Sequence, residues 1–134
     1  MASRNIRQTK LDAATVGLSG VTLASERTSN NIICEGYNQC TVFVNLSAQS
    51  AATDVQVDVD TSDDEGTTWF PLQSVSIASG TGTLSDLQWT KAVSGADTFA
   101  FDFPINYERI RLRVDGTSGG ASDVVTVTVQ LGSI

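Results

Sequence analysis

Acidic side chains are the densest group in this sequence that could do chemistry, and they concentrate between residues 54 and 72. The stretch reads DVQVDVDTSDDEGTTWFPL, with carboxylates alternating along its first half and filling its centre. In glycoside hydrolysis, two carboxylates act as general acid and as nucleophile or base on either side of the scissile bond. Each acid here is instead explained as a solvated strand or turn residue, and the chain contains no histidine that could serve as a base. These residue types argue against catalysis, and we expect no enzyme and no catalytic residue.

Two cysteines form the second group with reactive chemistry. Cys34 and Cys40 flank the short loop EGYNQ and could face each other across a hairpin, where a disulfide requires neighbouring Cβ atoms. No apolar stretch of signal-peptide length follows the N-terminus, so we expect a reducing compartment, and both a disulfide and two buried free thiols stay open. The C-x5-C spacing without a histidine or a second pair does not indicate zinc. We expect no metal and no cofactor.

The elements that position these groups are strands, and the acidic stretch contains the clearest of them. Val55, Val57 and Val59 alternate with polar residues, which is the period of a strand with one face on a core and the other in water. The alternation predicts that the valines are buried and that Asp58 and Asp60 face solvent. A polar turn, SDDEG, follows, and a second apolar run then begins, so the stretch is predicted to be a β-hairpin.

The turn of this hairpin spells S-x-D-x-G-x-T-W, with Ser62, Asp64, Gly66, Thr68 and Trp69 at the fixed positions. The pattern resembles the Asp box of sialidase propellers and of many unrelated β proteins. That resemblance implies a self-capping hairpin, with the aspartate folded back on the turn and the tryptophan packed beneath it. A propeller needs several blades and repeated boxes, and this chain has one box. We therefore interpret the five residues as a structural turn and not as part of a glycosidase.

Composition limits the class of protein further. The 134 residues are 40% hydrophobic, which suits one domain with its own core. Eight basic residues stand against fifteen acidic ones, giving a net charge of −7. Phosphate contacts depend on Lys and Arg, so this balance disfavours a nucleic-acid partner. No membrane span is visible, and we expect no membrane partner.

Short apolar or alternating runs, separated by loops rich in Gly and Ser, recur along the rest of the chain. The runs are 16–23, 31–35, 41–46, 74–78, 84–89, 98–103, 106–114 and 122–131. We expect about eight or nine strands in all, and helix-period patterns are almost absent. This predicts an all-β, two-sheet antiparallel β-sandwich, jelly-roll-like or immunoglobulin-like, over residues 13–134, after an N-terminal arm at 1–12 with no core strand. Pro104 is expected at a strand end or a sheet edge.

Basic residues gather in two places. They are Arg4, Arg7 and Lys10 in the N-terminal arm, and Arg109, Arg111 and Arg113 on one face of a late strand. The strand arginines form either a solvated face paired with acids such as Asp58 and Asp60, or a contact stripe for a partner. The arm either frays in solution or docks on an acidic neighbouring subunit.

Several segments together resemble small structural proteins of tailed bacteriophages. They are a strand ending in SxDxGxTW, a late YxRIRLRV strand, a Gly and Ser turn, and the closing strand DVVTVTVQL. The resemblance implies a virion protein assembled in the host bacterial cytoplasm, and within that group we favour a capsid decoration, or cement, protein that binds the major capsid protein. A symmetric oligomer, with a trimer favoured, is implied by the same resemblance. A tail or neck component is the alternative.

A carbohydrate-binding module is the alternative from another class, because β-sandwiches commonly bind sugars through exposed aromatic side chains. Trp69, Trp89, Tyr37 and Tyr107 are the candidate side chains for a glycan. Trp69 follows the box and is expected to be buried. This alternative depends on fold analogy alone.

Overall fold

The computed structural model describes residues 7–10 and 18–133, and for residues 7–10 and 133 it defines the backbone alone. Every regular element within these residues is a strand, which confirms the all-β class. The strands are β1 (Arg7–Lys10), β2 (Val21–Thr22), β3 (Arg27–Thr28), β4 (Ile32–Ile33), β5 (Gln39–Ala48), β6 (Asp54–Thr61), β7 (Phe70–Pro71), β8 (Gln73–Ala78), β9 (Thr81–Asp86), β10 (Gln88–Ala92), β11 (Asp97–Pro104), β12 (Arg109–Asp115) and β13 (Val124–Ser133). No helix of the described part of the chain is long and apolar enough to cross a membrane.

All of these strands except β8 and β9 form two sheets that face each other. The first sheet has the order β1-β13-β5-β11, with β2 also paired to β13. The second has the order β10-β6-β12-β3, with β4 also on β12 and β7 also on β6. All of these pairs are antiparallel. The predicted antiparallel β-sandwich is therefore confirmed, and Pro104 lies at the end of the edge strand β11, as expected.

The alternation of each long strand decides what the sandwich buries. One face of β5, β13, β6 and β12 is aliphatic and almost fully inaccessible to water. Its residues include Val42, Val44, Val55, Val57, Val59, Ile110, Leu112, Val114, Val125, Val127 and Val129. At the β10–β11 edge, the ring of Trp89 stacks on Phe101 with centroids 4.7 Å apart and closes the gap between the sheets. The burial of the β6 valines agrees with the prediction from their spacing.

The prediction for the acids of the same strand is wrong. Asp58 and Asp60 point away from the core, but their residues are only 8% and 3% exposed. Arginines of the neighbouring strand β12 lie over their carboxylates, since Arg111 is paired with Asp60 and Arg113 with Asp58 in the ladder. The alternation identifies the outer face correctly, but side chains of the adjacent strand decide whether that face is wet.

The N-terminal segment also departs from expectation. Residues 7–10 form β1, which pairs with the end of β13, from Arg7 opposite Ser133 to Lys10 opposite Gln130. The arm thus contains an edge strand, although none was predicted there. Arg4 and the predicted arm boundary at residue 12 lie outside the described residues.

A buried carboxylate holds two loops together at one end of the sandwich. Asp123 is fully buried and accepts backbone N–H bonds from Ser50 at 2.6 Å, Gly120 at 2.8 Å and Ala52 at 3.2 Å. These donors, the N–H of Ser50 above all, lower the pKa of Asp123. The sequence shows this residue only as the polar start of the last strand, so its role was not predicted.

Candidate interaction surfaces

The Asp-box turn uses its polar groups internally. Asp64 Oδ1 accepts the backbone N–H of Thr68 at 2.7 Å and of Thr67 at 3.1 Å, and the Ser62 hydroxyl donates to it at 2.9 Å. The Ser62 hydroxyl oxygen in turn accepts the N–H of Gly66 at 2.8 Å. Hydrogen bonds from Thr68 contribute most to lowering the pKa of Asp64 to about 2. A carboxylate held in this way caps a turn and is poorly suited to donate a proton as a general acid.

Gly66 and Trp69 are the residues of the turn that lie close to neighbouring side chains. Gly66 has φ of +90°, and a Cβ at this position would come within 2.5 Å of the Asn31 side-chain nitrogen and 3.4 Å of the Trp69 ring. The Trp69 ring then meets the Arg111 guanidinium, whose carbon lies 4.7 Å from the ring centroid. The tryptophan thus lies beneath the turn and against the outer face of the second sheet.

The strand arginines are engaged within the protein to different degrees. Arg111 Nε donates to Asp60 at 2.8 Å, and Arg113 Nε donates to the same carboxylate at 3.0 Å. Arg113 also lies 3.4 Å from both Asp58 and Glu26. Partial burial alone would lower the pKa of Arg113, but these carboxylates, with Asp60 foremost, outweigh burial and raise it. Of the two interpretations of this face, the pairing with Asp58 and Asp60 is present in the structure.

Arg109 differs from the other two strand arginines. Its Nε is buried and has no hydrogen-bond partner among the described residues. The expected contact stripe thus consists of two arginines that already hold carboxylates and a third whose Nε is enclosed. Of the basic residues in the arm, Arg7 and Lys10 are placed in β1, at the edge of the first sheet.

The aromatic side chains proposed for sugar binding do not form an exposed platform. Trp89 is sandwiched against Phe101 and lies 5.0 Å from the Phe103 ring centroid. Tyr37 and Tyr107 are partly buried and pack against the core. Trp69 is half-buried and not fully buried as expected, with one face under Arg111. Stacking on a sugar requires a free ring face, and these surroundings reduce the free faces available.

The two cysteines are free and buried. Burial raises the pKa of both thiols to about 12, and the proximity of Cys34 contributes to the shift at Cys40. At neutral pH they are therefore protonated and unreactive. Among the described residues, no three His, Cys, Asp or Glu side chains are grouped so that they could hold a metal ion.

The most exposed element is a hairpin made of β8 and β9, residues 73–86, which we call the β8–β9 arm. Each of its strand residues is exposed, and it forms a two-stranded sheet separate from the sandwich. Its turn residues Ser79 and Gly80 have φ of +51° and +77°, as a tight two-residue turn between twisted strands requires. Cross-strand pairing of Val75 with Leu84 places these two residues and Ile77 on one face.

The β8–β9 arm is inserted between β7 and β10, which pair with successive residues of β6. Leu72 N–H donates to Val59 O at 2.9 Å, and Leu87 N–H donates to Leu72 O at 2.9 Å. Strands β7 and β10, on either side of the arm, both pair with β6. The sequence indicated strands at 74–78 and 84–89 but placed them in the sandwich. That placement is wrong for 74–78 and 84–86, which form the separate arm, and right for 88–89, which belong to β10 in the second sheet.

A shallow groove on the outer face of the first sheet is a second exposed apolar feature, which we call the Phe43 groove. It has a volume of about 470 Å³. It is lined by Phe43, Val44, Asn45, Thr98, Phe99, Ala100, Thr126 and Thr128. Phe43 lies in register with Ala100 on one side and Thr128 on the other, so small side chains flank its ring. The sequence did not reveal this groove, because Phe43 belongs to a run that also supplies the core.

Comparison with known proteins identifies the fold. No protein-family model matches the chain, and no curated protein matches it either. Among solved structures, the SPBc2 prophage-derived protein YomS is similar to this chain over 99% of both chains, with a TM-score of 0.55 and 13% sequence identity. Dimeric latent PorU from Porphyromonas gingivalis matches 96% of this chain and 12% of its own length, with 14% identity and a TM-score of 0.33, which is too low to indicate a shared fold. The likeness to YomS, at its low identity, shows a shared fold.

Proposed function

We propose that this protein is a non-enzymatic structural component of a bacteriophage particle. The observation that carries the proposal is the match to a prophage-derived protein over 99% of both chains. The surfaces of the molecule support it. The Asp-box carboxylate and the buried Asp123 cap backbone groups, and both cysteines are protonated thiols. These groups stabilise a rigid sandwich, which suits a part whose role is to be placed and held in an assembly.

Within the particle, we propose that the protein decorates the head and binds the assembled shell through its N-terminal segment. Arg4, Arg7 and Lys10 form a cationic cluster in a chain of net charge −7. Strand β1 places two of them at the edge of the first sheet. Charges at the rim of an interface mainly accelerate encounter and set register, so raised salt should slow attachment more than it speeds release.

Two truncations of increasing length test the N-terminal segment. Deleting residues 2–6 removes Arg4 and leaves β1 intact, whereas deleting residues 2–10 also removes the pairing partner of the last residues of β13. Strand β13 remains paired with β5 in both variants, so the sandwich should stay folded. We expect weaker occupancy of undecorated heads for the first variant and weaker still for the second. The measurement is the amount bound to purified heads that lack the protein, compared with full-length protein.

The position in the particle is tested independently by labelling. Antibody-gold labelling of purified particles should mark heads. Label confined to tails or necks would move the protein to the alternative position, and particles without label or peptide signal would refute a virion role. Equal occupancy of heads by full-length and truncated protein would remove the N-terminal segment from the mechanism.

A further inference from the structure

The β8–β9 arm carries an apolar face that remains exposed among the residues that the structure describes. Val75, Ile77 and Leu84 are 59%, 73% and 63% exposed, and they are half of the large hydrophobic residues that are exposed within the described residues. An isolated two-stranded hairpin is at best marginally stable in water, because neither of its faces is buried. Val75, Ile77 and Leu84 nevertheless lie together on one face, with Gln73 and Asp86 only at its root, while the opposite face is mostly Ser and Thr. Such alternation is expected of a strand pair that packs against a surface.

The Phe43 groove has the chemistry of such a surface. Phe43 is 40% exposed in the middle of three paired strands. Every residue that lines the groove is uncharged, and the side chains beside the ring are small. An aliphatic side chain can therefore approach the ring face and its threonine and alanine neighbours without desolvating a charge.

Charge distribution favours a second copy of this chain as the occupant. Two copies that each carry a net charge of −7 repel one another over most of their surfaces. The arm contains one charged residue, Asp86, at its root, where Gln73 donates to it at 3.0 Å. The arm tip and the Phe43 groove are thus uncharged patches on an acidic chain, and they can meet without like-charge repulsion.

We propose that the apolar face of the β8–β9 arm packs over the Phe43 groove of a second copy. Six residues per strand give the arm a length of about 20 Å, and a ribbon about 5 Å wide fits on three strands that span about 10 Å. The two surfaces differ, so the contact is head-to-tail and closes into a ring when the rotation between copies permits. The inference does not rest on the proposed role in a phage particle.

The first test removes the apolar face and keeps the arm. Replacing Val75, Ile77 and Leu84 together with Thr preserves strand propensity but removes the aliphatic surface. Self-association, measured as mass against concentration by sedimentation velocity, should weaken by roughly tenfold per substitution. The sandwich should stay folded, because its core contains none of the three residues. Unchanged association would overturn the proposal, as would a wild-type protein that stays monomeric at millimolar concentration.

Matched controls distinguish the apolar face of the arm from its opposite face, and Phe43 from another exposed phenylalanine. Replacing Ser74, Ser76 and Ser85 with Thr changes the opposite face of the same strands and should leave association unchanged. Phe43→Ser should weaken association, whereas Phe70→Ser, at a phenylalanine of similar exposure outside the groove, should not. Equal effects of the two Phe variants would refute the groove as the acceptor.

A mixing experiment tests the head-to-tail geometry directly. Ile77→Asp places a charge on the apolar face of the arm, and Phe43→Asp places one in the groove. Each variant alone should therefore be monomeric. A mixture retains one intact arm and one intact groove, and it should form dimers that neither variant forms by itself. If the mixture stays monomeric while wild-type protein associates, the contact is not the proposed one.

Discussion

Removing the Asp60 carboxylate should destabilise the protein strongly, although this residue lies on the outer face of the second sheet. Asp60 is 3% exposed and accepts hydrogen bonds from Arg111 at 2.8 Å and from Arg113 at 3.0 Å. Breaking a fully buried ion pair from one side costs about 3–5 kcal/mol. Here the arginine side chains keep 29% and 20% of their exposure, so they can partly turn to water. We therefore expect Asp60→Ala to cost about 2–3 kcal/mol.

Thermal unfolding followed by circular dichroism measures this loss. At about 2.1 cal/mol/K per residue, the unfolding entropy of a chain of this length is about 0.3 kcal/mol/K, so the expected fall in Tm is about 7–10 °C. Asp63→Ala is the matched control, because Asp63 is an exposed acid in the same hairpin. Repeating Asp60→Ala in an Arg111→Met background should reduce the loss. If Asp60→Ala and Asp63→Ala differ by less than about 0.5 kcal/mol, the network does not hold the arginines, and the contact stripe regains support.

Further predictions concern the turn, one loop and the thiols. Asp64→Ala should lower Tm above about pH 4, where an ordinary aspartate is ionised. The difference in Tm from wild type should shrink as the pH falls towards 2, because a depressed pKa stabilises the fold only while the folded carboxylate is charged. A difference that does not change with pH would contradict this. Gly119→Ala should cost about 1–3 kcal/mol in urea unfolding, because its Cβ would overlap the Leu23 carbonyl oxygen, whereas Gly95→Ala, with open space around it, should be nearly neutral. Replacing Cys34 and Cys40 with Ser should give folded protein that is less stable by about 1–3 kcal/mol per site, and the native thiols should resist labelling; failure to fold would point to a bridge or a metal.

The periodicity of the sequence predicts the class of fold and the faces of its long strands. Valines at every second position of β6 specify one buried face whatever the neighbouring strands are. Whether the other face is wet depends on the strand placed next to it, which is why the burial of Asp58 and Asp60 was missed. Register between β6 and β12 joins residues far apart in sequence. The alternation within one strand does not indicate which residues of another strand lie beside it.

The arm and the capping aspartate were missed for related reasons. A strand that leaves the sandwich has the same alternation as a strand that stays, so the run containing Val75 and Ile77 was placed in a sheet. Its continuation past Leu87 joins two elements with different partners. Asp123 lies beside an ordinary Gly and Ser turn, and its partners at 50–52 are about 70 residues away in sequence. By contrast, the Asp-box turn is local, and its residues could be identified from their spacing.

The hydrogen bond between Leu87 N–H and Leu72 O makes the arm a module that can be exchanged. The ladder closes beneath the arm at these two residues, so a two-residue Asn-Gly turn could replace residues 73–86 without moving β7 or β10. A longer ribbon or a foreign peptide could be grafted onto the same two positions. The site is therefore a suitable place to display an epitope or tag in the laboratory.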